Sequence, residues 1–142
     1  MEFIINKCHP RVSAKFIKQL IQQIKKQEIA EEDTQITINF RDLSYYNKQG
    51  GYHPVEISMQ KEQSTGHWDL LYITDFSYCG YPYPELSTEF DFNFSLQAFF
   101  MIGCAGKPLK HPEVKEFFKI WQSNFLCYLG SGAFDEIVVN SW

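Results

Sequence analysis

The sequence predicts an α+β domain, an antiparallel sheet of about five to seven strands with two helices packed on one of its faces. Three observations carry that expectation. Apolar residues recur at three- and four-residue steps near both ends of the chain, over about 11–27 and 111–129. Between these stretches the apolar period drops to two. The alternating segments also follow one another at hairpin distance, which favours antiparallel neighbours over parallel βαβ units.

In the first helical stretch Phe16, Ile17, Leu20, Ile21 and Ile24 line one side, and Lys and Gln fill the rest. Pro10 suits its first turn, and Lys25 and Lys26 suit the negative end of its dipole. The acidic run from Glu31 to Thr34 reads as a solvated turn. From Gln35 onward Ile36, Ile38 and Phe40 alternate with Thr37 and Asn39, the pattern of a half-buried strand.

After a loop holding Gly50 and Gly51, Val55, Ile57 and Met59 alternate with Glu56, Ser58 and Gln60. Beyond a polar turn from Glu62 to Gly66, Trp68, Leu70 and Tyr72 alternate in the same way. The two segments read as a hairpin pairing Met59 with Trp68. Leu71 and Ile73 would make its second face apolar as well, a surface that another element or a second copy of the chain would cover, so a homodimer is among the expectations.

Further on, Phe90, Phe92 and Phe94 alternate with Asp91 and Asn93, and the run from Ala98 to Cys104, apolar on both faces, reads as a central strand. Val114, Phe117, Phe118, Trp121, Phe125 and Leu129 then mark the second helix, with Gly130 or Gly132 available to end it. Phe134 to Val139 makes a closing strand. No internal repeat or compositional break interrupts residues 1–142, which read as a single domain.

Bulk properties narrow the function classes. A chain of 142 residues can remove roughly two-thirds of its unfolded surface from water. Its 44% apolar and 21% charged residues are those of a globular domain. Thirteen Phe and eight Tyr favour a core built on rings over an exposed recognition surface. A net charge of −4, with scattered Lys and Arg, offers no footprint for phosphate backbones, so nucleic acid is not an expected partner.

The opening MEFIINKCHP lacks the pattern of a secretory leader, and no stretch approaches the ~20 apolar residues of a membrane span. A cytoplasmic setting without membrane contact is expected. Cys8, Cys79, Cys104 and Cys127 form no CxxC pair and read as reduced, with Cys104 and Cys127 as small core residues.

The motifs of nucleotide-binding loops, serine-hydrolase elbows and zinc proteases are missing. Polar residues instead gather at the expected ends of the central strands: Arg41, Asp42, His53, Glu56, Asp75 and Glu85. In the expected hairpin register His53 falls opposite Thr74, within reach of Asp75. A carboxylate beside an imidazole favours its protonated form and suits acid–base work. Ser77 and Cys79 are the nearest nucleophiles, and the spacing compels neither. The competing reading is that Arg41, Asp42 and Asp75 make turn-capping and ion-pair contacts.

The stretch from Cys79 to Leu86 sets Tyr81, Tyr83 and Glu85 beside Pro82 and Pro84. Rings on a stiff loop offer contact area at low entropic cost, or else they fold back to close an open end of the sheet. Of the four histidines, His9, His53 and His111 precede proline, where a turn explains them, and no two have ligand spacing. No metal and no cofactor is expected.

The segments NFRDLSY, GGYHPVEI, YITDFSYCGYPYPELSTEFDF and FDEIVV, in that order, resemble a family of small bacterial proteins catalogued only as a domain of unknown function. The resemblance covers nearly the whole chain. It implies a bacterial, cytoplasmic setting and assigns no role to any residue. The functional expectation is a non-catalytic small binding or protein-interaction module, its ligand contacts at Arg41, Asp42, Tyr81, Tyr83 and Glu85. The alternative is a small hydrolase using His53 and Asp75.

Overall fold

The computed structural model describes residues 3–45, 51–80 and 82–142. Nine elements follow in the order α1 (Ala14–Lys25), β1 (Gln35–Arg41), β2 (Val55–Lys61), β3 (Trp68–Cys79), β4 (Glu85–Asn93), β5 (Ala98–Met101), β6 (Lys107–Pro108), α2 (Pro112–Gly130) and β7 (Glu136–Ser141). The strands form one antiparallel sheet in the order β6-β5-β4-β3-β2-β1-β7. Six strands thus run as a meander, and α2 carries the chain back so that β7 can pair beside β1.

Both helices pack on the same face. Phe16 of α1 meets Trp121 and Phe125 of α2 at ring centroids 6.3 and 5.6 Å apart. Phe125 and Phe118 in turn stand edge-on to Phe40 of β1 and Phe92 of β4, at 5.0 and 4.8 Å. The core is therefore built largely on Phe rings, as the composition predicts, whereas no described Tyr is among its buried residues. Ile36, Ile38, Phe40, Ile57, Met59, Ile73 and Phe92 supply the sheet's side of that core and are fully buried.

Local chemistry sets the helix ends. Ser13 caps α1, its Oγ accepting from the Phe16 amide at 3.1 Å, so the helix starts later than Pro10 suggests. His111 caps α2 through Nδ1, which accepts from the Glu113 amide at 3.1 Å, with Pro112 at the first helical position.

Four expectations need correction. The β2–β3 hairpin pairs Met59 with Leu70 and Lys61 with Trp68, and a bulge between Ser58 and Met59 breaks the alternation of β3. The bulge turns Ile73 into the core and leaves Tyr72 on the other face, so the apolar second face expected of Leu71 and Ile73 is not formed. The run from Ala98 to Cys104 is not a central strand. It pairs only as far as Met101, next to the two-residue β6, before a turn at Gly103, whose φ is +76°. Cys104 and Cys127 are exposed rather than core.

The face turned away from the helices carries a polar cluster at its centre, with exposed Phe100 and Val138 on the same face. Tyr72 donates to Glu56, Thr74 donates to Asp91 at 2.8 Å, and Asn93 donates to Asp91 at 3.3 Å. Burial and the Glu56 carboxylate push the Tyr72 phenol up to about 12. Desolvation likewise raises Asp91, against the hydrogen bonds from Thr74 and Asn93. A carboxylate whose folded pKa is raised holds its proton more tightly in the native state. Its stabilising share is therefore present at low pH and is lost as pH rises through the raised value. Asp91→Asn should accordingly raise the melting temperature modestly at pH 7 and leave it nearly unchanged below the ordinary carboxylate range, as read by thermal unfolding at the two pH values.

Candidate functional site

A cleft of about 580 Å³ opens between the sheet and α2. Its walls are largely aromatic, drawn from Tyr52, Phe90, Phe117, Trp121, Phe125 and Tyr128, while His53, Asp75 and Glu89 supply its ionisable groups. A larger groove of about 780 Å³ runs along α1, lined by Ile5, Val12, Ile17 and Ile21 with lysines at its margins. Among the described residues the close cluster of His and carboxylate groups, His53, Asp75 and Glu89, lines the smaller cleft.

Three parts of the fold bring the polar trio together. Val55, at the start of β2, pairs with Asp75 of β3, and Asp75 pairs with Phe90 of β4. His53 enters two residues before Val55, beyond Pro54, whose carbonyl accepts from the Phe76 amide at 2.9 Å. A second bulge, between Asp75 and Phe76, shifts the β3–β4 register and leaves Glu89 between paired Thr88 and Phe90. Strict alternation would put Glu89 on the opposite face from Phe90; the bulge turns it into the cleft.

His53 Nδ1 lies 2.8 Å from Asp75 Oδ1 and 2.9 Å from Glu89 Oε2. Only the first contact has hydrogen-bond geometry, and Glu89 Oε2 is left buried with no hydrogen-bond partner. The other Asp75 oxygen accepts from Trp121 Nε1 at 3.0 Å. Asp75 is thus held from two sides, with 9% of its side chain exposed. The hydrogen bond to Asp75 raises the His53 pKa, partly opposed by desolvation and helped by the charges of Asp75 and Glu89.

Asp42 links the end of β1 to the residues just before β2, its carboxylate accepting from the Ser44 amide and hydroxyl and from the Tyr52 amide, at 3.0, 2.6 and 3.1 Å. These bonds hold its carboxyl below the usual carboxylate range. Gly51 adopts φ +137°, and a Cβ there would come within 2.9 Å of Asp42 Oδ2 and Tyr45 Cβ, so the close approach needs glycine. The Tyr45 ring lies 5.3 Å from that of His53, and its hydroxyl accepts from the Tyr78 amide at 3.0 Å. Asp42 therefore acts in this structure as the turn-capping group of the competing reading.

His53 and Asp75 are thus in hydrogen-bond contact at a cleft. Neither Ser77 nor Cys79 lines it, nor do Arg41, Asp42, Tyr83 and Glu85. Tyr83 is 85% exposed and does not fold back over the sheet, and Tyr81 lies outside the described residues. Sequence reasoning missed Glu89, Trp121 and the aromatic walls. The only linear signal for Glu89 is its place beside the Phe90-Phe92-Phe94 alternation, which points it the wrong way.

A family model described as DUF2787, protein of unknown function, matches residues 14–140. A solved structure of a hypothetical protein from the VSP-II pathogenicity island of Vibrio cholerae is 33% identical, with a TM-score of 0.91 over 99% of this chain and 100% of that one. A conserved hypothetical protein from the VPI-2 pathogenicity island of Vibrio cholerae O1 is 34% identical, with a TM-score of 0.84 over 96% of this chain and 100% of that one. The second is described as sharing structural homology with the human P32 protein. No curated protein matches the chain. Among the described residues no helix is long and apolar enough to cross a membrane.

Proposed function

We propose, for a chain that belongs to the DUF2787 family of proteins of unknown function, that it is a binding module of the bacterial cytoplasm whose ligand is a small, largely apolar molecule. One observation carries this reading: a cleft of about 580 Å³, walled by aromatic rings, whose ionisable groups converge at a single point. Flat apolar walls bind rings and aliphatic chains by area and shape, and one polar cluster fixes the orientation. The ligand would present one polar group to His53, Asp75 and Glu89 and lay its apolar body against Phe117, Trp121 and Tyr128. Exposed Tyr83, on the turn between β3 and β4, is the residue best placed for a protein partner.

A bacterial metabolite extract incubated with the pure protein should leave one compound bound after gel filtration, detectable by mass spectrometry after denaturation. Ile120 lines the cleft mouth and is 52% exposed, so Ile120→Trp should obstruct entry while leaving the fold intact. The expected result is loss of the retained compound in that variant. Equal retention by both proteins, or none by either, would refute the cleft as a binding site.

The 2.8 Å contact between His53 and Asp75 favours a second reading, hydrolysis. In it Nδ1 would carry the proton given to Asp75, and Nε2 would take a proton from water, because no serine or cysteine lines the cleft. Turnover of the retained compound, lost in His53→Gln, would favour this reading over simple binding.

A further inference from the structure

We propose that His53 Nδ1, Asp75 Oδ1 and Glu89 Oε2 form a binding site for a divalent transition-metal ion. The three atoms come from the loop before β2 and from β3 and β4, and all lie within 4.8 Å of one another. The Nδ1–Oδ1 and Nδ1–Oε2 separations are 2.8 and 2.9 Å. Ligand atoms about 2.1 Å from a metal, at right angles around it, stand about 3 Å apart, so little movement is needed to seat an ion among them.

Charge balance argues the same way. Two carboxylates meet at one imidazole nitrogen, which has a single proton to share between them. That proton is directed at Asp75, and Glu89 Oε2, buried, has no donor. A dication replacing the proton would satisfy all three atoms and leave the centre neutral. One nitrogen and two carboxylate oxygens suit Zn²⁺, Mn²⁺ or Fe²⁺ better than Ca²⁺ or Mg²⁺, which take oxygen sets.

The surroundings resemble a metal's outer shell. Trp121 Nε1 donates to the second oxygen of Asp75 at 3.0 Å, fixing which oxygen faces His53. Three protein ligands leave coordination positions open, and these would face the aromatic cleft. Resting on the reading of that cleft as a ligand site, the ion would receive the ligand's polar atom, so the ligand class narrows to apolar molecules with a carboxylate, hydroxamate or similar oxygen donor.

The test uses the whole chain, stripped with EDTA and dialysed, then titrated calorimetrically with MnCl₂ and with ZnCl₂. Mn²⁺ avoids the free thiols, above all those of exposed Cys104 and Cys127, which attract Zn²⁺. The expected result is saturable binding of one Mn²⁺ per chain. Glu89→Gln and His53→Ala should each weaken it by roughly 10- to 100-fold or more. Glu89 is one-third exposed, so Glu89→Gln should fold, with circular dichroism as the check. Absence of saturable Mn²⁺ binding, or binding equal in both variants and the parent, would overturn the site. A bound ion with no compound retained from the extract would keep the metal site and refute the small-molecule reading. A retained compound with no ion bound would do the reverse.

Discussion

Phe92→Ala should cost about 3–5 kcal/mol of stability, the range measured for emptying a buried aromatic site. Phe92 is fully buried near the C-terminal end of β4, and its ring lies 5.6 Å from Phe90, 5.2 Å from Phe99, 5.8 Å from Phe117, 4.8 Å from Phe118 and 5.8 Å from Trp121. Three strand residues and three helix residues thus meet around one ring, counting Phe92 itself on the strand side. Removing it takes away apolar burial and leaves a cavity that neighbours on both sheet and helix cannot jointly close. In a chain of this size the melting temperature should fall by roughly 10–20 °C. Leu96→Ala is the control: Leu96 is 67% exposed, and the change should stay within about 0.5 kcal/mol. Urea unfolding of both variants checks the contrast, and a cost below about 1 kcal/mol for Phe92→Ala would mean the ring cluster is not the core.

The same residue shows what was legible beforehand. Phe90, Phe92 and Phe94 alternate with Asp91 and Asn93, and period-two alternation over several residues has one structural solution, a strand with one face buried. The two helices were legible for the matching reason, a 3.6 period sustained over several turns. What the sequence hides is where a period slips. The bulge between Ser58 and Met59 moves Ile73 into the core, and the one between Asp75 and Phe76 brings Glu89 to the cleft. Each adds one residue to one strand, a choice made by packing on both sides of the sheet rather than by local propensity.

The site was half legible for a related cause. His53 and Asp75 do meet, but not in the register that suggested it: Val55 faces Asp75, not Tyr72. Trp121 was read correctly as part of the core stripe of α2, yet its indole N–H, which chooses the orientation of Asp75, answers to a residue 46 positions away. No spacing rule reaches that far. Cys104, by contrast, was misread because an apolar run continues in the sequence past the turn at Gly103, where its pairing has already stopped.

Asp75→Ala should cost about 2 kcal/mol and abolish both metal and ligand binding. Two effects oppose each other in that figure. The Trp121 indole N–H loses its acceptor at a buried position, and an unmade hydrogen bond there costs about 1–3 kcal/mol. His53 loses its close partner as well. Against this, removing a carboxylate with 9% of its side chain exposed, beside Glu89, relieves desolvation and like-charge repulsion. The loss of the acceptor should dominate because Trp121 is packed between Phe118 and Phe125, both stacked on it at 6.2 and 5.1 Å, and cannot swing its N–H to water. A double-mutant cycle separates the effects. Trp121→Phe removes the donor, so adding Asp75→Ala to it should cost less than Asp75→Ala alone, by a coupling of roughly 0.5–3 kcal/mol. Additive costs in urea unfolding would mean that the indole does not position Asp75, and the carboxylate would then be held by His53 alone.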